Sequence, residues 1–397
     1  PKHGQFTNER RMTEAEKQML RDWVAAGTPM GDQTKLPLSE DPIASKWRLP
    51  REPDIEIPMR DKPFTVPADG TVEYQYFVVD PGFKEDKWIT AAEILPGERS
   101  VLHHSIVFVR PPDGAEFRGI GWLAAYVPGQ SAPTYNPKFG RKVPAGSKLV
   151  FQQHYTPTGK EEADRTKIGI VFGRDEDITH EAFTLVGIDQ EFEIPPQTDD
   201  FRVDSKVRWL PEDGHLLAVM PHMHLRGKSF RLSSRDENRE TVLLDVPNYD
   251  FNWQHRYEFV EPRPLSEIDE LKFRVTFDNS PDNPVNPDPT EFVSWGDQNW
   301  EEMAVAFFEV TVPRKPSDQI EHRVVEPEFE SPEFTNRVDQ FADQFIARFD
   351  TNDDGIVERD DTPISLRRFG FRNYDADGDG RLTRDEITRA ARRRLKR

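Results

Sequence analysis

The segment VMPHMHLRG, residues 219–227, sets His222 and His224 two positions apart behind an apolar run. On a strand, alternate residues leave the same face, so both imidazoles emerge side by side. Neutral imidazole ligates copper, zinc and iron, and a pair so placed can share one ion; it also fits the solvated face of a strand. Two further histidine groups stand in apolar, alternating segments: His103 and His104 in VLHHSIVFV, and His154 in LVFQQHY. Neighbours in a regular strand face opposite ways, so His103 and His104 reach one ion only at a strand end or a bulge. Any one of these histidines is most simply a hydrogen-bonded strand residue. Five of ten grouped in this way, in an acidic chain, argue together for metal. The chain has no cysteine, which excludes disulfides, thiolate catalysis, zinc fingers and a Cys-ligated blue-copper site. Transition metals must then rest on His, Met or carboxylate. Met303 opens the run MAVAFFEV, where methionine ordinarily fills a core; Met223 lies between the two histidines and faces away from them; Met220 shares their face.

Elements must hold these residues in place. With 397 residues the chain exceeds one compact core, and its 34 prolines favour strands and turns over helical bundles. Strands are expected at 71–80, 100–109, 147–155, 167–173, 215–225, 228–235, 241–246, 271–277 and 303–312, with a turn-rich break near 180–200. The pattern predicts a mainly β fold of two tandem antiparallel β-sandwich domains followed by a small α-helical domain. Before them, Thr13 and Glu16 form a capping box for a helix over 12–27, stopped by Gly27. Its stripe of Met19, Leu20, Trp23 and Val24 predicts an arm packed on another part of the protein. Residues 30–70 read as a Pro-rich connector. The expected divisions are 1–45 (arm and linker), 46–183, 184–314, 315–335 (linker) and 336–397. A net charge of −19 argues against nucleic-acid binding, and no apolar run is long enough to span a bilayer. Starting at Pro1, the sequence reads as a mature or excised piece of a longer product.

HHSIVFV, LVFQQHY, PHMHLRG and WGDQNWEEM, in that order, resemble the copper type II, ascorbate-dependent monooxygenases, the family of peptidylglycine alpha-hydroxylating and dopamine beta-monooxygenases. The resemblance covers roughly residues 60–312. It implies two jelly-roll-like sandwich domains, each holding one copper across a cleft. His103, His104 and His154 would bind an electron-transfer copper; His222, His224 and Met303 would bind the oxygen-activating, catalytic copper. A thioether favours Cu(I), the state that meets dioxygen, while three imidazoles accept both oxidation states. Ascorbate or a similar one-electron donor would drive hydroxylation of a C–H bond in a small-molecule substrate. The arm resembles the tail of cytochrome-like domains upstream of similar bacterial modules, so upstream redox domains of the same polypeptide are expected partners, and a periplasmic or extracellular setting is expected.

The sequence also departs from that family. Peptide-amidating members carry Arg at the position of Met220, and Asn and Tyr at the positions of Val305 and Phe307. Three polar substrate contacts become apolar, which points away from peptide amidation and towards a less polar substrate. A rival reading keeps the coppers but serves electron transfer without hydroxylation, and a third makes calcium the only specific ligand of a structural module.

The tail holds two Asp-rich loops. DADGDGRLTRDE (375–386) matches the twelve-residue EF-hand loop, with Asp375, Asp377, Asp379, the Arg381 carbonyl and Glu386 as calcium ligands and Gly380 at the turn. DTNDDGIVERDD (350–361) offers Asp350, Asn352, Asp354, the Ile356 carbonyl and Asp361. Asp is shorter than Glu at the closing position, so this loop should bind calcium more weakly or lean towards Mg²⁺.

Overall fold

Period-two alternation of apolar residues buries one face of a strand and leaves the other free, and the protein is built from such strands. The computed structural model describes residues 3–31, 47–112, 115–127, 135–207, 209–236, 239–296, 298–314, 332–352, 354–363, 366–367, 371–375 and 379–395. The chain is mainly β and β-sandwich-like, with several sheets and a few helices.

An eight-stranded sheet runs through both halves. Ile55–Pro58, Lys167–Gly173, Lys87–Leu95 and Phe139–Val143 form one side of it; His180–Asp189, Ala304–Pro313, His215–His222 and Tyr257–Pro264 form the other. The two sides meet in a short parallel pairing, His180 with Phe139 and Glu181 with Gly140. A four-stranded sheet of Gln75–Val79, Lys148–Tyr155, Leu102–Arg110 and Trp122–Tyr126 belongs to the first half. Another, of Phe201–Lys206, Glu270–Phe277, Gly227–Asp236 and Arg239–Val246, belongs to the second. Each half has its own core: Ile57, Ile89, Val107, Phe151 and Ile168 in the first, and Val219, Phe230, Phe273 and Phe308 in the second.

Several expectations need correction. The break near 180–200 contains a ten-residue strand, His180–Asp189, paired along its whole length with Ala304–Pro313. That strand runs across position 183, where the sequence suggested a boundary. The connector over 30–70 includes the strands Ile55–Pro58 and Phe64–Val66. The helix Glu14–Ala25 has its capping box but buries no residue: Met19 is 69% and Val24 60% exposed, so among the described residues nothing covers the apolar stripe. The segment before it does the packing. Phe6 bridges to Phe259 and sits in the second core against Tyr257.

In the tail, the helices Pro332–Phe349, Phe371–Tyr374 and Arg384–Leu395 surround Val338, Phe345, Leu382 and Ile387. Proline fits a first helical turn because the amide it lacks has no partner there, so the helix begins inside the expected linker. Residues 315–331 of that linker lie outside the described residues. No described helix is long and apolar enough to cross a membrane.

Candidate metal centre

His104 lies directly across from His154 on the paired strands Leu102–Arg110 and Lys148–Tyr155. The register shifts between Leu102 and His104, and the extra residue is His103. A bulge sets two residues of one strand against one of its partner, so neighbours that would diverge can share a side. The ring centroids of His103, His104 and His154 are 4.9–5.4 Å apart, and one nitrogen from each lies within 4.8 Å of the others. His103 Nδ1 and His104 Nδ1 face each other at 3.2 Å, and His154 Nδ1 is buried without a hydrogen-bond partner. Two facing nitrogens and an orphaned third are costly unless something fills the space between them. Burial holds all three imidazoles below their ordinary range; His154 falls to about 4, helped by His103, and His104 lies well below. They are neutral near pH 7 and carry free lone pairs, the form that binds a metal. Tyr74 stacks on His154 with ring centroids 4.7 Å apart.

The second pair lies at the end of His215–His222. The rings of His222 and His224 are 5.2 Å apart and nearly perpendicular. His222 Nδ1 donates to Gln254 Oε1 at 2.8 Å, and His224 Nδ1 donates to the Glu301 carbonyl at 3.1 Å. Both acceptors fix the proton on Nδ1, which leaves each Nε2 with its lone pair. Burial lowers both rings, His224 to about 3.

Register relates Met303 to this pair. Val305 pairs with His222 and Phe307 with Met220, so continuing two residues would set Met303 across from His224. Met303 is half-buried beside the second core, whereas Met223 is fully buried within it. On the strand face that carries the histidines, the nearest positions are apolar, Met220, Val305 and Phe307; the Phe307 ring stands 6.3 Å from His222 and 4.7 Å from Trp122 of the first half.

Three supporting residues escaped the sequence reading. Glu302, fully buried, accepts the backbone N–H groups of His224 at 2.8 Å, Arg226 at 2.5 Å and Met303 at 3.3 Å. Burial pushes its carboxyl up to about 8, against those donors and the Arg226 guanidinium. Arg226, 2% exposed, donates to Asn279 Oδ1 and to the Trp300 carbonyl. Gln254 is the third. Arg226 and Glu302 lie inside PHMHLRG and WGDQNWEEM; the charge of Arg226 so close behind an apolar run was an available signal, whereas Glu302 stands among other polar residues. Gln254 gave none, because its contact spans 32 positions.

In the tail, Gly355 and Gly380 take positive φ, 81° and 82°, and their amides donate to Asp350 and Asp375. Asp354 accepts from the amide of Ile356 and from Asn352 Nδ2, and Asp361 accepts from the Thr351 hydroxyl. Asp379 accepts from the amide of Arg381. Glu386 accepts from the amide and hydroxyl of Thr383 at the start of the last helix. Asp377 lies outside the described residues.

No family model matches the chain, and no curated protein matches it. Among solved structures, the chain is similar to one described as "Crystal Structure of the STIV MCP". That likeness covers 66% of this chain and 96% of that chain, at 8% identity and a TM-score of 0.27. A likeness of that size bears on neither fold detail nor function.

Proposed function

We propose that the protein is a copper-dependent monooxygenase-like module of two jelly-roll-like domains, with a calcium-binding EF-hand tail. The observation that carries this reading is the donor set: three converging neutral imidazoles, one with an unpartnered buried nitrogen, and a second imidazole pair whose Nδ1 atoms are both tied down. Neutral nitrogen donors without an accompanying carboxylate suit copper better than a two-His-one-carboxylate iron site. His103, His104 and His154 would hold one ion, and His222, His224 and Met303 the other. Copper so held would supply one-electron transfer at the first site and oxygen activation at the second.

The chain's own residues have separate tasks. Gln254 and the Glu301 carbonyl orient the second pair, and Glu302 fixes the backbone that carries both His224 and Met303. Met220, Val305 and Phe307 offer a substrate apolar contact and no hydrogen bond, which favours an apolar C–H donor. Asp350, Asn352, Asp354 and Asp361, and Asp375, Asp379 and Glu386, would supply oxygens to calcium, with the positive-φ glycines making the tight turns. A periplasmic or extracellular setting, with an ascorbate-type donor, belongs to the same reading.

The test is oxygen consumption by the copper-loaded full chain with ascorbate and a benzylic probe such as ethylbenzene. Uptake matched by alcohol, and lost in both His154→Ala and His222→Ala, is the expected result. Reduction of bound copper with no product would leave the electron-transfer reading in its place.

A further inference from the structure

The turn between strands Arg239–Val246 and Tyr257–Pro264 carries Phe251 into contact with both histidine groups. Its ring stacks on His103, with centroids 5.8 Å apart and planes at 18°, and meets His224 edge-on at 6.0 Å and 86°. His103 belongs to the first half and His224 to the second, so one apolar side chain touches both. Centroid separations in this range are those of favourable aromatic pairs.

The turn is anchored on each side of Phe251. The Tyr249 hydroxyl donates to the Met223 carbonyl at 2.9 Å and accepts from its amide at 3.2 Å. Gln254 accepts from His222 and donates to the Phe251 carbonyl at 3.2 Å. The Trp253 amide closes the turn onto Asp250. The backbone of this turn is therefore tied to the His222–His224 segment. A phenyl ring has no lone pair to give a metal and excludes water from the volume it fills.

We propose that Phe251 is a positioning residue: a spacer that keeps the two histidine groups apart and prevents one small ligand from bridging ions held by them. The proposal rests on the copper reading. Removing the ring would open a path between the groups that a linear anion could occupy. Two Cu(II) ions joined by such an anion couple and lose their paramagnetic signal, whereas separated ions keep it.

The test uses the full chain loaded with Cu(II), its copper content measured first, then titrated with azide under electron paramagnetic resonance. The wild type should keep its spin count, and Phe251→Ala should lose most of its signal. Phe251→Leu keeps an apolar side chain while opening part of the gap; it should lose an intermediate share, and it carries the test if the alanine variant does not fold. Wild type and variants responding alike, each with full copper, would overturn the spacer while leaving the copper reading intact. A wild type that binds fewer than two coppers per chain would overturn the copper reading and the spacer with it.

Discussion

In the proposed second site the sulfur rests on Met303, which a register continued past His222–Val305 would set across from His224. Leucine keeps most of its volume, and such swaps between apolar residues of similar size ordinarily cost less than about 1.5 kcal/mol. Met303→Leu should therefore fold, keep copper at His103, His104 and His154, and weaken Cu(I) binding at the second site by at least about tenfold. Competition against a Cu(I) chelator measures this, and unchanged affinity would move the thioether to Met220. At this scale the sequence was informative. Residue types grouped the five histidines, because imidazole carries its chemistry wherever the chain places it, whereas Met303 entered only through the family resemblance. Phe251, Tyr74 and Gln254 were not legible, since an aromatic ring or an amide gains its role only from what long-range folding brings against it.

The elements explain how those ligands are held. Period-two patterns placed the strands they predicted within a few residues, but they missed others, among them Lys87–Leu95, Phe139–Val143 and Tyr257–Pro264, and could not show that His103 is the extra residue of a bulge. That depends on the partner strand's register. The strand His180–Asp189 escaped because Thr184 and Gly187 interrupt its apolar run, and tertiary pairing overrode the weak local signal. The helix Glu14–Ala25 failed in the opposite sense: amphipathic periodicity showed which face could be buried without showing that anything covers it. Between strands, the turns around 224–226 and 300–303 are joined by the Arg226 guanidinium, which donates to the Trp300 carbonyl, and by the buried Glu302 carboxyl, which accepts the amides of His224 and Arg226. Removing the guanidinium leaves the Trp300 carbonyl and Asn279 Oδ1 short of a donor, at a cost of roughly 1–3 kcal/mol. Arg226→Met should lower unfolding free energy by about that amount in urea. A loss below about 1 kcal/mol would show that those two acceptors are satisfied without it.

At the scale of the whole molecule, the halves are joined by charge as well as by the shared sheet. Glu309, on Ala304–Pro313, accepts from Arg256 Nη2 at 2.8 Å and pairs with Arg141 of the first half at 3.0 Å. Burial alone would raise its carboxyl, but Arg256 and Arg141 outweigh it and hold the group at about 2, below its ordinary 4.5. A carboxylate lowered on folding stabilises the native state fully above its unfolded value, and that contribution disappears as pH falls through the folded value. Between about pH 5 and pH 2 the protein should lose on the order of 3 kcal/mol from this group. Glu309→Gln should remove that part of the pH slope in unfolding measured by fluorescence. The tail is tied to the second half through Arg348, which donates to the carbonyls of Gln190 at 2.9 Å and Trp295 at 3.1 Å. Arg348→Ala should make the tail more susceptible to limited proteolysis while leaving both β cores folded. Equal digestion rates would count against this docking.

Whether one chain holds two copper ions in unlike ligand sets is read from X-ray absorption of the reduced, fully loaded protein at known copper content. The expected result is about two coppers per chain, with nitrogen ligation at both and sulfur at one alone. A single copper per chain, or a spectrum of nitrogen and oxygen donors without sulfur, would contradict it.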